Sequence, residues 1–166
     1  MHQQALDFVA AHTRGLRPAS VLEIGSLDIN GSVRPLFEGA ARYHGIDLAD
    51  GPGVDEVADA ATWDPGDERF DVVVSAEVLE HAPAWRKVLA TAWGALAPGG
   101  LLLMTCATDP RPPHSAVDGW DVRDGEWYRN VPPAELVDLV RGWEPADWGV
   151  EVHRHRGDLY LRARRR

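Results

Sequence analysis

The chain has 166 residues, 45% of them apolar, and carries a formal net charge of −9. That length fits one domain over residues 1–166, and the apolar share is too high for a disordered chain. The longest apolar run is strand-sized, no basic-then-apolar leader opens the sequence, and one cysteine cannot close a disulfide; the expectation is a cytoplasmic protein without a membrane partner.

In chain order, residues 2–14 read as an amphipathic helix with Ala5, Leu6, Phe8, Val9 and His12 near one face. Residues 20–24 (SVLEI) form a first strand, and the loop GSLDING leads into a short helix ending at Phe37. Residues 43–47 (YHGID) are a second strand. The following LADGPGVDEVADA holds too much Gly, Pro and Asp for a full helix, so an abbreviated crossover with a third strand near 54–58 is expected. Residues 70–75 (FDVVVS) form a fourth strand, and 85–96 a helix stopped by Pro98 and Gly99-Gly100. Residues 101–106 are an apolar fifth strand, buried on both faces. A loop of about 24 residues follows, long enough that a compact domain usually keeps it for function. A helix over 133–143 and strands at 150–153 and 158–161, joined as a hairpin, complete the chain.

Alternating strands and helices imply a doubly wound α/β fold. Five such units and a terminal hairpin give a seven-stranded, mostly parallel sheet with helices on both faces and a C-terminal antiparallel hairpin. Charge is uneven along it. Residues 153–166 hold six arginines against one aspartate, so the rest of the chain carries −14. An acidic body repels phosphate backbones, and the RARRR end reads as a solvated terminus. Nucleic acid is therefore not an expected partner.

Chemistry concentrates at strand ends. In VLEIGSLDING, Gly25 lets the backbone turn tightly after the first strand, while Glu23 two positions earlier suits a cationic ligand better than a phosphate. Asp47 ends the second strand, where an acid accepts hydrogen bonds from ribose hydroxyls, although a plain polar strand end is the alternative. ADAATW places a carboxylate at the end of the third strand.

VLEIGS, YHGIDL, VADA, FDVVVSAEVLEH and LAPGGLLLMT, in this order, resemble the class I S-adenosylmethionine-dependent methyltransferases over about residues 18–107. The resemblance implies S-adenosyl-L-methionine as cofactor, with S-adenosyl-L-homocysteine as product. It implies that Glu23, Gly25 and Ser26 shape the methionine end, Asp47 holds the ribose, and Leu48 packs on adenine. Asp59 and Ala60 would meet the adenine edge, and Ser75 and Ala76 would line the sulfonium. One departure is Leu27, where the family carries a second glycine; the turn closes instead through Asn30-Gly31-Ser32, which puts Gly31 in the cofactor loop.

Acceptors follow by elimination. The fourth strand ends in SAEV, not the Asn/Asp-Pro-Pro-aromatic motif of DNA amino-methyltransferases. Cys106 has no preceding proline and reads as a buried structural thiol rather than a cytosine C5 nucleophile. The single lysine, Lys87, cannot supply the lysine pair of ribose 2′-O-methyltransferases. A small-molecule oxygen, nitrogen or sulfur nucleophile remains, with a peptide side chain behind it. Candidate bases are Glu77, Glu80 and His81 in AEVLEH, and His114 in the long loop beside Asp118, Trp120, Trp127 and Tyr128. Glu80 and His81 equally suit a capping role, and His2, His12, His44, His153 and His155 have no metal-ligand spacing, so no metal is expected. A non-catalytic S-adenosylmethionine-binding module is the competing function, and a nicotinamide oxidoreductase fits Glu23 poorly.

Overall fold

Four consecutive buried positions in Ser20–Ile24 make β1 a strand covered on both faces, as a central parallel strand must be. The computed structural model describes residues 2–166. Around β1 lie β2 (Arg42–Asp47), β3 (Glu56–Val57), β4 (Phe70–Ala76) and β5 (Leu96–Ala107), all parallel. β6 (Asp147–His153) and β7 (Asp158–Arg164) close the sheet antiparallel, in the order β3-β2-β1-β4-β5-β7-β6. The seven-stranded, mostly parallel sheet with its C-terminal hairpin is the expected architecture.

Side-chain alternation sends the strands' apolar residues to two layers. On one face Phe8 and Val9 of α1 (Gln3–Thr13), with Val33 and Phe37 around a 3-10 turn, pack on Val21, Val72, Val74 and Leu103. On the other, Trp85, Val88 and Leu89 of α2 (Trp85–Gly94) and Leu136 and Val140 of α3 (Pro133–Arg141) pack on Leu22, Val73, Leu102 and Met104. Cys106 is a free thiol inside this second layer.

Several boundaries differ from the sequence reading: α3 ends at Arg141, β6 begins at Asp147, β7 runs on to Arg164, and the largest shift is at the junction of α2 and β5. α2 ends at Gly94 and β5 begins at Leu96, so Pro98, Gly99 and Gly100 lie within β5 rather than between elements. The cause is early pairing: Phe70 sits opposite Leu96 and its N–H donates to the Ala95 carbonyl at 2.9 Å, before a register shift at Val72. The arginine-rich end is likewise structural. The Arg165 guanidinium donates to the Gly94 carbonyl at 3.0 Å and the Leu96 carbonyl at 2.7 Å, capping the negative end of α2. Arg164 donates to the Gly99 carbonyl at 3.0 Å.

α3 is fastened chiefly by apolar burial. Leu136 is fully buried, whereas the neighbouring Glu135–Arg86 ion pair is exposed. Leu136→Ala should therefore cost about 2–5 kcal/mol in urea unfolding, and Glu135→Ala under about 1 kcal/mol. Equal effects would contradict this packing.

Candidate active site

A cavity of about 730 Å³ opens at the carboxyl ends of β1, β2 and β4. Its lining includes Glu23, Gly25, Ser26, Gly31, Asp47, Leu48, Asp59, Ala60, Ala76, Glu77, His81 and His114, so twelve of the sequence's candidates meet in one place. Ser75 does not. It is 2% exposed, shares Val73's face of the sheet by the two-residue alternation, and is absent from the lining. Ala76, one residue on, supplies the wall there, which corrects the expectation for Ser75.

The first half of the cavity is built by the turn after β1. Gly25 has φ +79° and a Cβ there would lie 2.1 Å from Val78 Cγ2, so no side chain fits. The N–H groups of Gly25 and Ser26 both donate to the Ile46 carbonyl, at 2.9 and 3.1 Å, which ties the turn to β2. The Ser26 hydroxyl is buried with no hydrogen-bond partner among the described residues. Leu27, the residue that departs from a glycine pattern, is accommodated by the shortened crossover. Its side chain packs where a Cβ on Gly51 would stand, and Asp28 N–H donates to the Pro52 carbonyl at 2.8 Å. Gly53, with φ +89°, passes so close to the Ser26 carbonyl that a Cβ would sit 2.5 Å from it.

Asp47 is held at the mouth of β2. One carboxylate oxygen accepts the Leu27 N–H and the other the Ala49 N–H, both at 3.1 Å, and each keeps a lone pair for a further donor. Leu48 is 73% exposed and gives the cavity an apolar face. Asp59 accepts the Ala61 N–H at 2.9 Å. Glu23 lies deeper, 4% exposed, accepting the Tyr43 hydroxyl proton at 2.7 Å. Burial pushes its pKa up to about 7 against the opposing pull of Tyr43 and Arg34.

The second half belongs to the segment after β4 and to the loop after β5. Glu77 has φ +58°, a left-handed backbone conformation rare outside glycine, and its N–H donates to the Thr105 carbonyl at 2.9 Å. Its carboxylate lies 3.3 Å from His2 Nε2 and 3.8 Å from Arg111, which in turn pairs with the buried Asp158. Burial alone would raise the Glu77 pKa, but His2 and Arg111 hold it below the ordinary value. A carboxylate so engaged is a weak proton acceptor, which counts against Glu77 as a base. Glu80 is fully buried: one oxygen accepts the Ala107 N–H at 3.1 Å, and its backbone carbonyl accepts the Arg129 N–H at 2.8 Å. It thus pins the end of β5 and the return of the long loop.

His81 and His114 face one another with ring centres 5.1 Å apart, and the Tyr128 ring lies 5.4 and 4.7 Å from them. Burial, reinforced by His114, lowers the His81 pKa, so that ring is neutral near pH 7. His114 Nδ1 is 3.1 Å from the Pro112 carbonyl. A carbonyl only accepts, so Nδ1 carries the hydrogen and Nε2 presents a lone pair. The long loop is firm at its base, where Thr108 Oγ donates to the Val131 carbonyl at 2.8 Å, while Trp120 in the cavity rim is 78% exposed. The ion cluster of His2, Glu77, Arg111 and Asp158 had no sequence signal, because its members are far apart in the chain.

A family model described as "Methyltransferase domain" matches residues 2–155. The chain belongs to this methyltransferase-domain family, and its sheet is that of the class I S-adenosylmethionine-dependent methyltransferases. Over 92 residues it is 39% identical to a ubiquinone biosynthesis O-methyltransferase of Cereibacter sphaeroides and 37% identical to one of Ruegeria pomeroyi. Those alignments take in 48% of this chain and 36% of each relative, so the likeness spans about a third of their length. Among solved structures, CalS10, an amino pentose methyltransferase from Micromonospora echinaspora, superposes with a TM-score of 0.69 at 19% identity, over 99% of this chain and 91% of that one. The Burkholderia thailandensis 1,6-didemethyltoxoflavin-N1-methyltransferase, solved with S-adenosylhomocysteine, gives 0.67 at 23% identity over 98% and 77%. These two similarities establish a shared fold. No helix among the described residues is long and apolar enough to cross a membrane.

Glu23 makes stability depend on pH. The folded protein keeps its proton to about pH 7, whereas an unfolded chain releases it near the ordinary 4.5. Its contribution is full below about pH 4.5 and is lost as pH rises through about 7. Glu23→Gln keeps an acceptor for Tyr43 without the titration. The variant should gain about 2–3 kcal/mol on the wild type between pH 5 and pH 8 in urea unfolding. A constant difference across that range would contradict the assignment.

Proposed function

We propose that the protein binds S-adenosyl-L-methionine in this cavity and passes its methyl group to a small-molecule acceptor at the His81–His114 end. S-adenosylmethionine supplies an electrophilic methyl carbon on a positively charged sulfur. The residues present fit it. The buried Ser26 hydroxyl lacks a partner among the described residues, Asp47 has lone pairs to spare at the mouth of β2, and Leu48 offers an exposed apolar surface. The volume lies in the range of cavities that enclose a ligand of this size.

Each group then has a task. Asp47 accepts the two ribose hydroxyls, Leu48 and Ala60 sandwich the adenine, and Asp59 receives its amino group. Glu23, Gly25, Ser26 and Gly31 enclose the amino-acid end, where a cationic ammonium beside Glu23 would draw its carboxyl toward the ionised form. Ala76 leaves space for the sulfonium. Methyl transfer is an in-line displacement, so holding the nucleophile behind the methyl carbon supplies much of the acceleration. With Glu77 engaged by His2 and Arg111, the His114 Nε2 lone pair is what this corner offers an acceptor's proton. The name of the curated relatives, ubiquinone biosynthesis O-methyltransferase, favours oxygen as the nucleophile. The single observation that carries the reading is the Asp47 carboxylate, fixed by two backbone N–H groups at the switch between β1 and β2 and open to the cavity.

Asp47→Ala should weaken S-adenosylhomocysteine binding ten- to a hundredfold, about 1.5–3 kcal/mol, by titration calorimetry with unchanged unfolding. Unchanged affinity in a folded variant would remove Asp47 from the site.

A further inference from the structure

The acceptor corner holds more lone pairs than proton transfer requires. Glu80 is fully buried, yet only one of its carboxyl oxygens is used, by the Ala107 N–H; the other has no partner among the described residues. His81 Nδ1 is also buried without one. His114 presents Nε2, its Nδ1 being directed at the Pro112 carbonyl. One ligand atom from each of Glu80, His81 and His114 lies within 4.8 Å of the other two. A metal at about 2.0–2.2 Å from each ligand separates them by up to about 4.4 Å, so small side-chain adjustments close the set. A buried carboxyl oxygen without a hydrogen-bond partner is costly, and a cation that displaces the carboxyl proton removes that cost.

We infer that Glu80, His81 and His114 form a binding site for one divalent transition-metal ion at the acceptor end of the cavity. Two imidazoles and a carboxylate favour zinc, iron, cobalt or manganese over magnesium, which prefers an all-oxygen shell. The second shell is already present: the Pro112 carbonyl orients His114 from behind, as ligating histidines generally require. Three protein ligands leave positions open, and His81 and His114 both line the cavity, so those positions face the acceptor.

The ion's role rests on the methyl-transfer reading; its binding does not. A hydroxyl acceptor would take an open position, and the ion's charge would lower the hydroxyl's pKa so that its proton leaves to solvent. The oxygen's electron pair then forms the O–CH₃ bond while the S–CH₃ pair stays on sulfur, giving a neutral thioether. With the ion bound, the His114 Nε2 lone pair is taken by the metal, so solvent replaces His114 as the destination of the proton, and the acceptor class narrows to hydroxyl compounds.

The test is titration of the full chain with Co²⁺ alone, read by its visible d–d absorption. One equivalent should bind with a Kd below about 100 µM. Loss of a ligand should cost more than the ten- to hundredfold typical of a second-shell change, so His114→Ala and Glu80→Gln should each bind at least about a hundredfold more weakly. His114→Ala alters only the loop and decides the matter even if the buried Glu80→Gln fails to fold. A double variant, His153→Ala with His155→Ala, removes the other neighbouring imidazole pair and should bind as the wild type does. No absorption change up to about 1 mM, affinity unchanged in His114→Ala, or binding lost in the double variant would overturn the site. Calorimetry of S-adenosylhomocysteine on the same protein separates the two proposals: Co²⁺ bound without it refutes the donor pocket and leaves the metal site standing.

Discussion

The cavity exists because strand order reverses beside β1. From β1 the chain crosses to β2 by the α1 face of the sheet, and from β4 it crosses to β5 by the α2 face. The connections leaving the adjacent carboxyl ends of β1 and β4 therefore part to opposite sides, and nothing fills the gap between them. Keeping that gap open demands a tight turn after β1. Gly25 meets the demand by lying against Val78, the first residue past the Glu77 kink, so the two sides of the crevice meet there. A side chain at Gly25 would push them apart and disturb both halves together.

Each half has its own physics. The β1–β2 side is organised by backbone N–H donors: Gly25 and Ser26 to the Ile46 carbonyl, Asp28 to the Pro52 carbonyl, and Leu27 to the Asp47 carboxylate. These contacts use the Asp47 and Asp59 carboxylates only in part: each Asp47 oxygen accepts one N–H and keeps a lone pair, and Asp59 accepts the Ala61 N–H through one oxygen. The β4–β5 side is organised by charge. Glu77, Arg111, Asp158 and His2 neutralise one another, while Glu80 spends one oxygen on the backbone of β5 and keeps one. This side is shaped to hold polar groups in low-dielectric surroundings, where a directed interaction with an acceptor counts for most.

What the sequence revealed follows the range of the interactions. β1, β2 and β4 were legible because apolar runs bounded by Gly and Asp are local signals, and Asp47 was legible from its position at a strand end. The end of α2 was misplaced because Phe70–Leu96 pairing, a contact between distant residues, starts β5 early and overrides the Pro-Gly-Gly signal. The arginine-rich terminus read as solvated because capping of α2 by Arg165 depends on β7 lying beside β5. Leu27 read as a disturbance, and its partner is a glycine turn two dozen residues away. The convergence of Glu80, His81 and His114 escaped for the same reason: the first two are adjacent in sequence, but the third arrives on a loop that β5 carries across the sheet.

The most direct measurement is a crystal structure with S-adenosylhomocysteine at saturation. Ribose hydroxyls should lie on Asp47, adenine against Leu48 and Ala60, and the sulfur should be directed past Ala76 toward His81 and His114. A ligand lying the other way, with its adenine between the two histidines, or a cavity without ligand at saturating concentration, would contradict this placement.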